Sequence, residues 1–141
     1  MPGILEQFRS NAVALISLVV ALSTLSYSTW RNERTEANRN LRAAGFELLS
    51  EIGSLQQVVF YAHFNAGDAR GDARMGWADV LTIEDLAALM PPPVGRDAAA
   101  LRETWQSGWT GLGSSDVDHR RIDESIDKLR RTTLATLRAL D

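Results

Sequence analysis

The beginning of the chain divides into an apolar stretch followed by a polar one. No charged residue lies between Arg9 and Arg31. As a helix, residues 10–30 would be about 31 Å long, which matches the hydrocarbon thickness of a bilayer. Eight residues in the stretch have aliphatic side chains that favour insertion: Val13, Leu15, Ile16, Leu18, Val19, Val20, Leu22 and Leu25. This pattern predicts a tail over residues 1–9, a transmembrane helix over 10–30 and a soluble helical domain over 31–141.

Two other interpretations of the apolar stretch are open. It could be the buried core helix of a soluble protein, or a signal peptide cleaved near the small residues Ala21 and Ser23. Residues 1–9 contain one arginine and one glutamate and lack the basic character of a signal peptide, which favours the anchor. Tyr27 and Trp30 stand where an aromatic belt would meet one membrane interface, and Phe8 stands near the other.

Small residues recur along one face of the apolar stretch, at alternating spacings of three and four. They are Ala14, Ser17, Ala21, Thr24 and Ser28. Small residues let another helix approach closely within a membrane, so this face is a candidate for helix packing. Alternatively, its hydroxyl groups bond to the backbone of their own helix and indicate no partner.

Four arginines follow the apolar stretch: Arg31, Arg34, Arg39 and Arg42. At this position arginines can contact lipid phosphates. The side before the stretch has Arg9 and the terminal amine. The excess of positive charge after the stretch predicts a protein of the inner (cell) membrane with its C-terminal domain in the cytoplasm, the alternative being a periplasmic domain.

Hydrophobic periodicity resumes after the arginines and predicts an all-α domain, an antiparallel bundle of three to four helices. A seam of helical spacing predicts a helix over residues 34–65; its members are Leu41, Gly45, Leu48, Ile52, Leu55, Val59 and Ala62. Neighbouring apolar positions widen the stripe and favour packing inside the bundle: Leu49, Val58, Phe60, Tyr61 and Phe64.

Capping patterns and prolines predict the other helices. Thr82 with Asp85 predicts a short helix over 83–90, which the prolines of 91–93 end as a stiff extended connector. A helix over 97–109 follows, and Ser115 with Asp118 predicts the start of the last helix, over 115–140. The apolar positions of that last helix are Val117, Ile122, Ile126, Leu129, Thr133, Leu137 and Leu140.

The small residues of the apolar stretch and the seam share one helical phase. Ser17, Thr24, Gly45, Ile52 and Val59 differ by multiples of seven. If the helix is continuous, we expect one side of it to be shaped for packing both in lipid and in water.

Composition and charge exclude several chemistries. The chain has no cysteine, so disulfides and thiolate sites are excluded, and its net charge of -3 argues against nucleic-acid binding. Lys128 is the one lysine among 15 basic residues, a bias typical of GC-rich bacterial sequences. His63 and His119 lack the i, i+4 partner of a helical metal pair. The acidic residues around the start of the last helix suit a charged outer face: Asp116, Asp118, Asp123, Glu124 and Asp127.

Three tryptophans, Trp77, Trp105 and Trp109, are candidates either for the core or for a partner surface. With no catalytic motif, the sequence favours a non-enzymatic, membrane-anchored interaction module or accessory subunit of a larger membrane assembly. Its expected partners are membrane lipid and another membrane protein or further copies of itself, with no cofactor, metal, nucleic acid or small-molecule substrate. The alternatives are a sensory bundle that signals through a partner and an enzyme without a recognisable motif.

Overall fold

A computed structural model describes residues 4–65 and 67–140, with side chains for 11–33, 35–65 and 67–140. Four α-helices form the described chain: α1 (Ile4–Phe64), α2 (Gly76–Ala88), α3 (Pro92–Gly108) and α4 (Asp116–Arg138). Short 3-10 helices lie at Ala69–Gly71 and Trp109–Gly111, and the described residues include no strand. The all-α prediction is confirmed for this part of the chain. Two compact units can be distinguished, Met1–Arg39 and Asn40–Asp141.

In the N-terminal unit, the side chains of residues 11–33 are all exposed. The eight aliphatic side chains of the apolar stretch have between 55% and 67% of their surface accessible. By length and composition, α1 is apolar enough to cross a membrane. The apolar helix predicted near the N-terminus is therefore present, and its apolar surface is uncovered within the described chain.

In the C-terminal unit, all four helices contribute to one hydrophobic core. The predicted seam of α1 is confirmed: Leu48, Ile52, Leu55 and Val59 are buried. The largest buried side chains from the other elements are Val80, Ile83, Val94, Leu101, Trp105, Leu112, Ile122, Ile126 and Leu129. Burial of this many large apolar groups supplies the main driving force for folding the unit.

Contacts at two levels show that neighbouring helices run antiparallel. A Cβ added at Gly95, early in α3, would lie 3.5 Å from the carbonyl oxygen of Ala87 at the end of α2. One at Gly108, the end of α3, would lie 3.3 Å from Ile122 of α4.

Polar contacts supply the second level. An ion pair of 2.8 Å between Glu84 and Arg102 joins α2 to α3. Asp97 of α3 accepts from the Thr132 hydroxyl at 2.6 Å and pairs with Lys128 of α4 at 2.9 Å. Burial raises the pKa of Asp97, but these two hydrogen bonds outweigh it and the pKa lies below its usual value.

The end of α1 also lies antiparallel to α4. A Cβ added at Gly45 would meet the side chain of Leu137, near the end of α4. At the other end, His63 lies 3.4 Å from the carboxylate of Asp116, the first residue of α4. The early part of this segment of α1 therefore faces the end of α4, and the late part faces its start.

The predicted start of α2 was wrong. The helix begins at Gly76 and not at residue 83, and the hydroxyl of Thr82 donates to the carbonyl of Ala78 at 3.0 Å inside the helix. The reason is that Gly76 and Val80 are buried in line with the later core positions Ile83 and Ala87, at spacings of four, three and four. Core packing therefore extends the helix over the capping pattern.

The predicted connector over the three prolines was also wrong. Pro91 is extended, with φ -54° and ψ 151°, but Pro92 and Pro93 already form the first turn of α3. A proline is tolerated there because the first N–H groups of a helix have no intrahelical acceptor. Helix α3 therefore begins five positions before the predicted residue 97.

The predicted start of α4 is confirmed. The Ser115 hydroxyl accepts from the backbone N–H of Asp118 at 3.2 Å, and α4 begins at the next residue, Asp116. Five predicted core positions of α4 are buried: Ile122, Ile126, Leu129, Thr133 and Leu137. Val117 is an exception, with 61% of its surface exposed.

Candidate interaction surfaces

The small-residue face of the apolar stretch is exposed along its length. Ala14, Ser17, Ala21, Thr24 and Ser28 are all exposed. The hydroxyl of Thr24 donates to the carbonyl of Val20 at 2.8 Å, and that of Thr29 donates to the carbonyl of Leu25 at 2.9 Å. Backbone bonding thus occupies the Thr24 donor, as the alternative interpretation expected. The role of the face in helix packing stays a prediction.

The four arginines after the stretch differ in their surroundings. Arg31 and Arg39 are exposed, whereas Arg42 is half-buried and donates to the carbonyl of Leu140 at 3.4 Å. The side chains of Arg34 and of Phe8 lie outside the described residues. Near the arginines, the rings of Tyr27 and Trp30 lie 6.3 Å apart. A headgroup contact for Arg42 would compete with its bond to the end of α4.

The tryptophans do not form one surface. Trp105 is fully buried, so it belongs to the core and cannot contact a partner. Its indole N–H has no hydrogen-bond acceptor within the described residues. Trp77 and Trp109 are half-buried, pack against the core and meet edge to face at 6.4 Å. The predicted tryptophan surface is therefore reduced to these two rings.

The two histidines, predicted to lie in different helices, meet between α1 and α4. Their rings stack with centroids 4.0 Å apart. The Nδ1 of His63 lies 3.2 Å from the carbonyl oxygen of Leu112, within hydrogen-bonding distance, and Nε2 lies 3.4 Å from Asp116. Burial lowers the pKa of His119, and the neighbouring His63 acts in the same direction, against the opposing carboxylates of Asp123 and Asp116. The described residues contain no cluster of three His, Asp or Glu suited to a metal ion.

The phenylalanines lie on an exposed surface that the sequence pattern did not predict. Phe46, Phe60 and Phe64 are 63%, 53% and 63% exposed, so all the described phenylalanine side chains lie outside the core. The prediction that Phe60 and Phe64 widen the stripe that packs inside the bundle is therefore wrong. The core already has its apolar side chains from the seam on the opposite side of α1. The spacing of Phe46, Gly53 and Phe60 by seven residues is the signal that could have identified this surface.

A shallow groove of about 420 Å³ lies beside Phe60. It is lined by Gly53, Gln56, Gln57, Phe60, Tyr61 and Arg70. The Arg70 guanidinium lies 3.9 Å above the Tyr61 ring and pairs with Asp68 at 2.7 Å. Hydrogen bonds from Arg70 lower the pKa of Asp68 to about 2. The groove is thus bounded by Arg70 over the Tyr61 ring on one side and by glutamine, glycine and phenylalanine residues of α1 on the other.

The part of α1 that is in helical phase with the small residues is covered in the C-terminal unit. Gly45, Ile52 and Val59 are all buried in the core of that unit, and Gly45 lies against Leu137 of α4. This side of α1 is therefore a packing surface in the C-terminal unit, whereas packing of the small residues in lipid stays a prediction. The side is occupied by the chain's own helices.

Comparisons with protein-family models, with curated proteins and with solved structures gave no match.

Proposed function

We propose that this chain is a single-pass membrane protein and that its helical domain is a non-catalytic interaction module, the accessory subunit of a larger membrane assembly. The exposed apolar stretch of α1 carries the proposal. Its eight aliphatic side chains remain at least 55% exposed in the folded chain. Contiguous apolar surface of this extent in water would favour aggregation, whereas the same eight residues favour insertion into a bilayer by roughly 2–5 kcal/mol in sum.

The residues around the stretch support a membrane position with the domain in the cytoplasm. Tyr27 and Trp30 are amphipathic aromatic residues suited to an interface, and exposed Arg31 and Arg39 follow them. Arginines on this side can bind lipid phosphates and retain the flanking segment on the cytoplasmic face of the inner membrane.

The polar contacts of the C-terminal unit favour a binding role over catalysis. Two of its charged pairs join one helix to the next, Glu84 with Arg102 and Asp97 with Lys128. These groups stabilise the domain, and it presents an exposed aromatic surface on α1 and a half-buried tryptophan pair. Exposed aromatic side chains are typical anchors of protein–protein contacts.

Membrane fractionation tests the proposal. We expect the wild-type chain to remain in the pellet after alkaline carbonate extraction, with its N-terminus intact. A variant with Leu18→Arg and Val20→Arg should move to the supernatant, because each arginine at the centre of a span costs about 2.5–3.5 kcal/mol.

The matched control places the same substitutions at exposed positions of the C-terminal unit. Leu81 and Leu89 are 46% and 64% exposed, so a variant with Leu81→Arg and Leu89→Arg should stay in the pellet. Extraction of the wild-type chain into the supernatant contradicts the proposal. A mature N-terminus near Thr24 would instead establish cleavage of a signal peptide.

A further inference from the structure

An uncharged face of α1 lies on the side opposite the core of the C-terminal unit. We call it the phenylalanine face; its members are Phe46, Ser50, Gly53, Gln57, Phe60 and Phe64. At 100° per residue these positions fall within an arc of about 80°. The core positions Leu48, Leu55 and Val59 lie on the other side of the helix and are fully or almost fully buried.

The composition of the phenylalanine face differs from that of the rest of the chain. Charged residues make up 23% of the sequence, but none of the six members is charged. Phenylalanine is among the residues most often buried in folded proteins, yet Phe46, Phe60 and Phe64 are each more than half exposed. Phe60 and Phe64 pack against each other with centroids 5.1 Å apart and leave their outer faces open. Such a surface is suited to pack against another apolar surface.

Gly53 makes the face complementary to itself. It stands midway between Phe46 and Phe60, seven residues from each, and a Cβ added there would have no atom within 4 Å. Two α1 helices that cross at Gly53 can therefore approach closely, because neither places a side chain at the crossing point. The groove of about 420 Å³ beside Gly53 has room for a phenylalanine side chain of the second helix.

We propose that the phenylalanine face binds the same face of a second copy of this chain, with the two helices crossing at Gly53. The absence of charge favours an identical partner, because two copies of a charged face would repel each other. The six phenylalanines of such a pair would bury roughly 600 Å² of their own surface, and the intervening backbone and glutamines would add to it. The contribution of the phenylalanines alone is about half of the roughly 1,200 Å² that the smallest stable interfaces bury.

Membrane anchoring compensates for the modest area, and in this respect the inference rests on the proposed function. Two copies confined to one bilayer have a much higher effective concentration than two copies in solution. An interface too small to hold a soluble dimer can therefore hold an anchored one.

Disulfide crosslinking in membranes tests the inference, since the chain has no native cysteine. We expect Gly53→Cys to form a dimer of two copies under a mild oxidant. Ala135→Cys, at an exposed position of α4, is the control and should stay monomeric. Dimers of equal yield from both variants, or none from Gly53→Cys, would overturn the inference, as would a Gly53→Cys adduct with a different protein.

A second substitution makes the test specific for the face. Phe60→Asp added to Gly53→Cys should reduce the dimer yield at least about tenfold, because the buried apolar contact is lost and two like charges meet. Leu89→Asp is the matched control: Leu89 is also exposed, by 64%, but lies off the face, so the yield should not change. Circular dichroism of each variant checks that the helical domain is intact.

The fraction in which each species is found separates the two proposals. A carbonate-resistant chain that does not crosslink at Gly53 would support the membrane anchor and contradict the dimer. A chain that crosslinks at Gly53 but is extracted by carbonate would contradict the membrane anchor and support the dimer contact.

Discussion

Two glycines in helices have opposite surroundings, and this contrast decides what a methyl group does at each. A Cβ at Gly76 would overlap the ring of the buried Trp105, whereas a Cβ at Gly53 would meet open space. The Trp105 ring is enclosed by core side chains and cannot move away freely. Gly76 is therefore required by packing, while Gly53 leaves room for contact with another chain.

We predict that Gly76→Ala destabilises the domain by about 1–3 kcal/mol through overpacking. Gly53→Ala should instead stabilise the monomer by about 0.5–1 kcal/mol, because alanine loses less backbone entropy in a helix. Denaturant unfolding of both variants in detergent, at concentrations where the chain is monomeric, measures the two effects. Shifts of the same sign would contradict this account of the two sites.

At the scale of single elements, the end of α1 is joined to the start of α4 through stacked histidines. His119 faces His63, Phe64, Asp116 and Asp123, and its pKa is lowered mainly by burial and next by His63. The folded chain therefore favours the neutral imidazole of His119. Its contribution to stability is present above the unfolded pKa of about 6.5 and is lost as the pH falls through that value towards the folded pKa.

We predict that the wild-type domain loses stability between pH 7 and pH 5.5 and that His119→Phe loses less. Phenylalanine keeps a ring against His63 and Phe64 but binds no proton in this range. Thermal unfolding at a series of pH values measures the difference between the two slopes. Parallel slopes for wild type and variant would show that His119 does not carry this dependence.

The sequence predicted elements best where a single pattern, periodic or local, met no competing signal. The seam from Leu48 to Val59 and the cap at Ser115 were both found where they were predicted. Thr82 was misleading, because a local capping pattern competes with core burial that extends from Gly76 to Ala87. Pro92 and Pro93 were misleading because proline, which cannot continue a helix, is tolerated in the first turn of one. The two residues therefore begin α3 and do not form a connector.

For the whole molecule, the sequence could place the apolar stretch but not the exposed surfaces of the domain. An apolar run without charge can be recognised from the sequence alone. Which side of α1 faces solvent, however, depends on where α4 packs. Phe46, Phe60 and Phe64 have the composition of core residues, and the structure alone places them outside. Trp105 was open to either interpretation until its burial was known.

The central claim is that one anchor holds the helical domain on the cytoplasmic side of a membrane. Labelling of single cysteines in intact cells by a membrane-impermeant maleimide tests it most directly, with the labelled chain recovered from carbonate-washed membranes. The reporters are Ser114→Cys, in the exposed loop before α4, and Gln7→Cys, in the segment before the apolar stretch. We predict that Gln7→Cys is labelled in intact cells and that Ser114→Cys is labelled only after permeabilisation. Labelling of Ser114→Cys in intact cells, with Gln7→Cys protected, would contradict the account.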